Sequence, residues 1–401
     1  MMKEERVRFI DALRGISLFG ILLANLLIFH YGIWGKEELE YFTASATDKT
    51  IYAILKIAVE GSFMPIFTFL FGFSLIKLAE SIKKKNGKVK RHLWRRFIFL
   101  FILGLLHSTY LWEGDILAFY GLMGLFLLLF LNRKKKTLII WGTVLFVLTG
   151  ALSYGMEEKS KEELEKQSLY IETTNEVYQN GSYEEIKQHR NTEDPLYFES
   201  EGEKVFFSLF MLLFGPLLTS PMFLFGMAAA KGGLFLHMER EQKWYILSMA
   251  LLPISLLLKS IAIIGEETNW TAVLLQMGTQ LLCISYIGIF AILFIKFSGN
   301  KVFIGFESVG KLSLTNYIMQ SVICTFIYYG YGLGQFGSLG MLNSVLLGFV
   351  IFVLQCIGSY YYLKVFKRGP LEMILRMGTN LSWSGHMKAK KKKVKLQGKP
   401  V

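Results

Sequence analysis

Long apolar runs separated by short charged stretches are the main pattern of this sequence. A helix needs about 20 apolar residues to cross ~30 Å of hydrocarbon, and about ten runs approach that length. The pattern therefore predicts an all-α fold, a polytopic transmembrane helical bundle of about ten spans. The predicted spans lie near residues 9–31, 52–78, 97–112, 115–131, 137–154, 205–230, 244–264, 270–296, 313–332 and 341–365.

Composition supports a membrane protein. Of the 401 residues, 53% are hydrophobic and only 19% are charged, whereas a soluble chain of this length would carry more charge and shorter apolar runs. Cys283, Cys324 and Cys356 all lie within apolar runs and have no metal-ligand spacing, so we expect neither a disulfide framework nor a metal site. No small-residue cleavage site follows the first apolar run, which should therefore remain as an anchor.

The basic residues predict the orientation of the spans. Alternate connecting segments carry 33 Lys and Arg on one side of the predicted membrane and 8 on the other. The positive-inside rule then places both termini in the cytoplasm. The net charge of +13 is explained by these helix edges, so we expect no nucleic-acid partner. The basic tail at 388–399 is expected to touch anionic membrane lipids.

The sequence predicts four segments, namely two halves, an acidic insert between them and a basic tail. We predict a first five-helix half at 1–154, an extracytoplasmic insert at 155–204, a second five-helix half at 205–376 and a basic cytoplasmic tail at 377–401. The insert carries 14 Asp and Glu against 6 Lys and Arg. Its pattern predicts a short exposed helix that ends before Asn180 and Gly181. A solvated connecting loop is the favoured interpretation of the insert, and a lid over an acceptor is the alternative.

Two proline-glycine patterns resemble each other across the halves. Pro65 precedes Phe71-Gly72, and Pro221 precedes Phe225-Gly226. The echo is too short to define an internal repeat. Pro65 also predicts a kink, because proline leaves a backbone carbonyl without its helical partner.

His107 is the sharpest candidate for chemistry. It lies roughly 15 Å along its predicted helix from the basic edge, near the middle of a bilayer, where ionisable residues are costly and usually functional or paired. The predicted turn at 112–114 brings Tyr120 of the next helix back to the same level. Asp115 lies one turn further out, where a carboxylate could fix the tautomer of the imidazole and stabilise its cation. A histidine that only bridges two helices is the alternative.

The first helix contributes four polar candidates. Asp11 and Arg14 share one face, so they form either a self-neutralised pair or a pair whose arginine binds a phosphate. Asn25 lies on much the same face and suits an interhelical hydrogen bond. His30 ends the helix at the outer surface, where a histidine is usually solvated.

A polar stripe opens the ninth predicted span. Ser313, Asn316 and Gln320 recur at helical spacing on one face. Such a stripe lines a cavity or packs on another polar helix, and we favour the cavity.

The motifs together resemble a known family. They are Asp11-x-x-Arg14-Gly15, then Leu106-His107 through Trp112-Glu113-Gly114-Asp115-Ile116-Leu117-x-x-Tyr120-Gly121, then Gly310 through Ser321, and finally Gly369-Pro370-Leu371-Glu372. This order resembles the YeiB-like family of bacterial multi-pass inner-membrane proteins, which carries a domain of unknown function and is similar to larger groups of transmembrane acyltransferases. The resemblance implies a bacterial cytoplasmic membrane location, acetyl-CoA or another acyl-CoA as cytoplasmic donor, and an envelope acceptor outside.

The leading hypothesis is therefore a transmembrane acyltransferase. Arg14, Arg95 and Arg96 would meet the anionic donor. His107, supported by Asp115, would deprotonate the acceptor, although related enzymes leave His30 as the alternative base. Asn316 and Gln320 would position substrate or stabilise the oxyanion. A small-solute transporter and a non-catalytic membrane scaffold are the alternatives, and the oligomeric state stays open, with a homo-oligomer among the options.

Overall fold

The computed structural model describes residues 8–385, except residues 43, 156–159, 194–195, 197 and 199. The basic tail predicted to touch lipid lies largely outside these residues. The described part consists of helices, turns and two 3-10 turns, which agrees with the all-α prediction. The helices are α1 Arg8–Tyr31, α2 Ala46–Ala58, α3 Phe63–Lys84, α4 Val89–Tyr110, α5 Leu117–Leu127, α6 Lys135–Leu152, α7 Lys161–Asn180, α8 Tyr183–Thr192, α9 Glu201–Leu218, α10 Pro221–Gly232, α11 Met238–Met249, α12 Leu252–Ile264, α13 Thr271–Phe297, α14 Lys301–Lys311, α15 Ser313–Tyr328, α16 Met341–Val365 and α17 Pro370–Asn380.

A helical bundle with several membrane-length elements is confirmed. Among the described residues, seven helices or nearly continuous helix pairs are long and apolar enough to cross a membrane, and they are α1, α2 with α3, α6, α9 with α10, α11 with α12, α13 and α16. The other three predicted spans correspond to α4, α5 and α15. Helix α5 has 11 residues and α15 has 16, and α4 begins with basic residues. The count of ten spans and the cytoplasmic termini stay predictions.

Three predicted spans are each broken into two helices. Pro221 and Pro253 stand in the first turns of α10 and α12, where the missing proline N–H costs no helical hydrogen bond. The break between α2 and α3 lies at 59–62, a few residues before the predicted kink, with Gly61 at a φ of +71°. The ammonium of Lys259 donates to the Glu60 carbonyl at 2.6 Å and to the Ser62 hydroxyl at 3.1 Å, so it satisfies groups that the break frees.

Helices α1 and α14 approach closely through two glycines. A Cβ atom on Gly15 would lie 2.0 Å from the carbonyl oxygen of Phe306, and one on Gly310 would lie 1.8 Å from that of Asp11. Both distances are far below van der Waals contact, and both neighbours are backbone atoms that cannot rotate away. The absence of a side chain at both positions therefore sets the distance between these helices.

The proline-glycine echo marks a second close crossing. A Cβ atom on Gly72 of α3 would lie 2.0 Å from the carbonyl oxygen of Phe223, and one on Gly226 of α10 would lie 1.9 Å from that of Phe69. The two similar motifs therefore belong to helices that pack directly on each other. The contact between α3 and α10 joins the two predicted halves of the chain.

The acidic insert folds onto one end of the bundle, which we call the insert end. It contains the expected helix, α7, ended by Gly181, and a second helix, α8, that the sequence did not predict. Arg190 of α8 donates to the carbonyls of Thr109 and Leu111, and Gly330 donates to the carbonyl of Tyr178. The favoured interpretation, a solvated connecting loop, is therefore wrong, because the insert docks on the bundle through hydrogen bonds to the carbonyls at the end of α4.

The tight α1–α14 crossing generates a stability prediction. Gly15→Ala should lower the free energy of unfolding by about 1–3 kcal/mol, because the added methyl group overlaps backbone. The control is Gly358→Ala on α16, where nothing lies within 4 Å of the added carbon. Alanine's higher helix propensity should leave that variant unchanged or stabilised by up to about 1 kcal/mol. Thermal unfolding of the purified protein in detergent would measure both, and equal melting temperatures would contradict the tight crossing.

Candidate functional site

His107 and Asp115 form a buried pair. The Nδ1 atom of His107 lies 2.8 Å from Oδ1 of Asp115, and each side chain is 2% exposed. The other carboxylate oxygen accepts a hydrogen bond of 2.8 Å from the N–H of Ala118 in the first turn of α5. Asp115 therefore links the end of α4 to the start of α5 through the turn that the sequence predicts.

The pair leaves one imidazole nitrogen available. A carboxylate only accepts hydrogen bonds, so the proton of this contact lies on Nδ1, and a neutral imidazole in this orientation has its lone pair on Nε2. Within the described residues, His107 Nε2 is buried and has no hydrogen-bond partner. A buried nitrogen without a partner is unfavourable for stability alone and suits a base that awaits a substrate proton.

Aromatic rings enclose the imidazole. The Tyr317 ring of α15 lies 5.5 Å from it and the Trp112 ring 6.4 Å, measured between centroids. The Tyr317 hydroxyl donates to the Gly114 carbonyl at 3.3 Å and accepts from the N–H of Ile116 at 3.2 Å. Tyr317 thus holds the turn that presents Asp115.

A cavity of about 740 Å³ opens at the other end of the bundle, which we call the basic end. Seven Lys and Arg residues and one histidine line it, namely Arg14, Lys85, His92, Arg96, Lys311, Lys367, Arg368 and Arg376. Glu372 is the one carboxylate among the described lining residues. It accepts from the backbone N–H groups of Leu314 and Thr315 and from the Thr315 hydroxyl, so its charge serves the start of α15. The mouth of the basic-end cavity is therefore strongly cationic.

The inner wall of this cavity is mostly apolar and aromatic. Phe67, Phe71 and Leu100 line it together with Tyr120 and Tyr317. The Tyr120 ring stacks on Phe71 at 5.1 Å, and its buried hydroxyl has no hydrogen-bond partner among the described residues. A cationic mouth with an apolar interior fits a ligand that has an anionic head and a less polar arm.

A second cavity of about 180 Å³ lies at the insert end. Loop residues after α1, the turn residue Glu113 and side chains of α7 and α8 line it. Burial raises the pKa of the Glu113 carboxyl above its ordinary value, and the guanidinium of Arg190 opposes that shift. The insert thus contributes one wall of this insert-end cavity.

One short segment borders both cavities. Glu113 lines the insert-end cavity and Ile116 lines the basic-end cavity, with Asp115 between them in sequence. The fully buried Trp112 stacks on Phe29 at 4.1 Å and packs beneath Gly114. The His107–Asp115 pair is therefore held by a segment that borders both cavities, while neither side chain of the pair is part of either lining.

Several sequence candidates meet at the basic-end cavity. Arg14, Tyr120 and Ser313 line it. Arg14 also bonds Asp11 at 3.3 Å and the Ser74 hydroxyl at 2.9 Å, so the ion pair expected from the sequence forms at a residue that also lines the cavity. Arg95 does not line the cavity, whereas its neighbour Arg96 does.

Two candidates of α1 lie elsewhere. Asn25 is half-buried and lines neither cavity. His30 is 1% exposed, and its Nδ1 lies 3.2 Å from the Ser344 hydroxyl of α16. The expectation of a solvated histidine is wrong, because the loop at 330–340 covers this end of α1, where Gly337 donates to the His30 carbonyl.

The polar stripe of α15 divides between two surroundings. Ser313 lines the basic-end cavity, but Asn316 donates to the Ser359 hydroxyl at 3.0 Å and Gln320 donates to Gln355 at 2.8 Å, both on α16. The expectation that Asn316 and Gln320 line a cavity is therefore wrong. Buried amides need hydrogen-bond partners, and α16 supplies them across the interface.

Sequence reasoning missed Tyr317 as a site residue. It follows Ser313 by four residues and so shares the cavity face of α15, a spacing visible in the sequence. The cationic contributions of Lys85 and Lys367 carried no distinguishing signal, because basic residues mark every edge on this side. Among the described residues, no group of three or more His, Cys, Asp or Glu side chains could hold a metal ion.

Known proteins resemble the chain over its whole length. A family model described as a protein of unknown function, DUF418, matches residues 229–382. The chain is 32% identical over 395 residues to the uncharacterized protein YxaH of Bacillus subtilis (strain 168), which covers 95% of this chain and 96% of the relative. It is 27% identical over 397 residues to the uncharacterized protein YeiB of Escherichia coli (strain K12), with 94% and 96% covered. An uncharacterized 39.9 kDa protein from the amylase 3' region of Bacillus acidopullulyticus is 26% identical over 378 residues, with 94% of each chain covered.

The insert should loosen in acid through His189. Burial against Tyr170 and Thr174 lowers the pKa of His189 below its ordinary value of 6.5. The unfolded imidazole therefore takes up a proton before the folded one, so the packing of α8 is fully stable above about pH 6.5 and loses stability as the pH falls below it.

Hydrogen exchange would measure this effect. After correction for intrinsic rates, residues 161–192 should exchange faster at pH 5.5 than at pH 7.5, while α16 should not change. His189→Gln should abolish the difference. A wild-type insert with equal protection at both pH values would contradict the prediction.

Proposed function

Because the chain belongs to the YeiB-like family, whose members carry a domain of unknown function, we propose a function from the site itself, that of a transmembrane acyltransferase. It would move an acyl group from a cytoplasmic acyl-CoA donor to an acceptor in the bacterial envelope. Two cavities at opposite ends of the bundle border the one segment that holds a paired histidine, and this observation carries the proposal.

The basic-end cavity suits the donor. Coenzyme A joins phosphate groups to a long, largely neutral arm that ends in the thioester. The Lys and Arg side chains at the mouth would bind the phosphates, since guanidinium groups fit phosphate oxygens in a bidentate manner. The apolar interior would receive the arm and direct the thioester towards Tyr120 and Tyr317, which line the inner wall.

His107 would serve as the base. Its Nε2 lone pair would take the proton from the acceptor hydroxyl as the acceptor oxygen forms a bond to the thioester carbonyl carbon. The carbon–sulfur bond then breaks, and the departing thiolate takes the proton back from Nε2. Asp115 would stabilise the imidazolium between these two steps, as an acidic partner does in hydrolases.

Tyr120, and not Asn316 or Gln320, would stabilise the oxyanion. The amide N–H groups of Asn316 and Gln320 already donate to Ser359 and Gln355 of α16. The Tyr120 hydroxyl is buried and unpartnered within the described residues, and Tyr120 is one of the residues that line the cavity. A donor that waits without a partner costs no reorganisation when charge develops on the carbonyl oxygen.

Orientation completes the proposal. The basic end would face the cytoplasm of the bacterial inner membrane, in accord with the positive-inside rule, and membrane lipids would surround the exposed apolar helices. The insert end would face the envelope, where the acceptor lies.

Replacement of the two candidate bases gives a direct test. His107→Gln in proteoliposomes should lower the transfer of labelled acetyl from acetyl-CoA to an envelope fraction by about 10²–10⁴-fold, the usual contribution of a general base. The matched control is His30→Gln, because His30 is as deeply buried but its Nδ1 contacts the Ser344 hydroxyl instead of a carboxylate. That variant should keep most of the activity. Full activity in His107→Gln would remove the assignment, and passage of an unmodified solute without acyl transfer would favour a transporter.

Two adjacent arginines test the donor site. Arg96→Gln should weaken acetyl-CoA binding about tenfold or more, because charge-assisted hydrogen bonds are worth roughly 1.5–3 kcal/mol. Arg95→Gln, one residue away and outside the cavity lining, should change affinity by less than about twofold. Calorimetric titration of the purified protein would measure both. Equal losses would indicate a general charge effect, and no loss in either would exclude this mouth as the phosphate site.

A further inference from the structure

The insert-end cavity has a wall rich in aromatic rings. Tyr31 and Trp34 come from the end of α1 and the loop after it, and Tyr170 and Tyr178 come from α7 of the insert. The Trp34 residue is half-buried, so part of it is available to a ligand. Aromatic rings on opposite sides of a small cavity offer flat apolar faces for a ligand ring.

Polar atoms without partners stand beside these rings. The Arg190 side chain is 4% exposed, and its terminal N–H groups donate to the Thr109 and Leu111 carbonyls, yet within the described residues its Nε is buried without a hydrogen-bond partner. In Glu113, Oε1 accepts from the Tyr178 hydroxyl at 3.1 Å, while Oε2 has no hydrogen bond and lies 3.8 Å from the Arg190 guanidinium.

These buried polar atoms favour a ligand that carries hydroxyl groups. An unpaired buried donor and an unpaired buried acceptor are each unfavourable, and one hydroxyl group can satisfy either of them. A purely apolar ligand would leave both unsatisfied. The cavity lining carries two carboxylates, Glu113 and Glu193, against one guanidinium, Arg190, and this balance disfavours an anionic ligand.

The volume of the insert-end cavity limits the size of the ligand. The volume of about 180 Å³ is close to that of a single six-membered sugar ring and is too small for a bulky lipid head or an oligomeric chain within the cavity. A sugar ring presents hydroxyl groups around its edge and C–H groups on its faces. The edge would bond Glu113 and Arg190, and the faces would stack on the tyrosine and tryptophan rings.

We propose that the insert-end cavity binds one neutral, polyhydroxylated ring of the size of a hexose. The role of that ring as the acceptor of the acyl group rests on the proposed function, but its binding does not. The cavity is built jointly by the α1 loop, the turn at 112–116 and the insert, so it exists only because the insert docks on the bundle. The insert is thus a part of a binding site.

Position links this site to the candidate base. Glu113 lies in the insert-end cavity, two residues before the carboxylate that holds His107. The fully buried Trp112 ring stacks on Phe29 and lies 6.4 Å from the imidazole, measured between centroids. The insert-end cavity and the candidate base are therefore joined by one turn of the chain.

Direct binding would test the site without any transfer assay. The full-length protein would be placed in lipid nanodiscs free of sugar-based detergents, because such detergents would compete for the cavity. The probes are methyl α-glucopyranoside as the neutral ring, glucose 1-phosphate as the anionic ring and glycerol as a polyol without a ring, each titrated by saturation-transfer NMR. The neutral ring should bind saturably, and the other two should bind about tenfold or more weakly.

Variants of the lining residues test whether the ring binds in this cavity. Glu113→Gln and Trp34→Leu should each weaken the neutral ring about tenfold, by loss of a charged acceptor and of a stacking face. Trp34 is the second variant because it is half-buried on the loop after α1, so its replacement leaves the turn at 112–116 intact. Trp270→Leu, which replaces a tryptophan outside both cavity linings, should bind the ring as the wild type does.

Each outcome decides a different point. No saturable binding of the glucoside, or binding that neither variant changes, would overturn this inference. Equal affinity for glycerol would overturn its ring-sized part. Normal ring binding together with no acyl transfer by the wild type would leave the inference standing and remove the proposed function, whereas acyl transfer to another acceptor without ring binding would do the reverse.

Discussion

Close helix packing at glycine is the constraint on which the rest of this structure depends. Two crossings, α1 with α14 and α3 with α10, bring backbones into direct contact because no Cβ atom stands between them. The first crossing brings Arg14 within reach of α14 and α3, where it bonds the Gly310 carbonyl and the Ser74 hydroxyl. Three of these four helices, α1, α3 and α14, line the basic-end cavity, and they or their ends supply Arg14, Lys85 and Lys311 to its cationic lining.

Within that frame, a single carboxylate organises the candidate site. Asp115 bonds the imidazole of His107 with one oxygen and the first turn of α5 with the other, so it orients the ring and starts the next helix. A buried charge without such partners would be strongly unfavourable in an apolar surrounding. The same logic governs Lys259, which is fully buried and is satisfied by the freed carbonyl and hydroxyl at the break between α2 and α3.

The site draws on both halves of the chain. The family model covers residues 229–382, which include α15, α17 and therefore one wall of the basic-end cavity. His107, Asp115 and the insert lie outside that match but inside the similarity to YxaH and YeiB, which extends over nearly the entire chain. The turn at residues 112–116 borders both cavities and holds Asp115 against His107, so the candidate site depends on residues from both parts of the chain.

Local pattern determined much of this protein. The ends of α1, α13 and α16 follow from apolar periodicity, and the pairing of His107 with Asp115 follows from a short turn between adjacent helices, because both depend on residues close in sequence. Only the tertiary structure decided which polar residues face a cavity. Asn316 and Gln320 found partners on α16, Arg96 rather than Arg95 reached the mouth, and His30 became buried beneath a distant loop. A helix face is readable from sequence, but the neighbour that the face meets depends on contacts between residues far apart in the chain, which spacing alone does not encode.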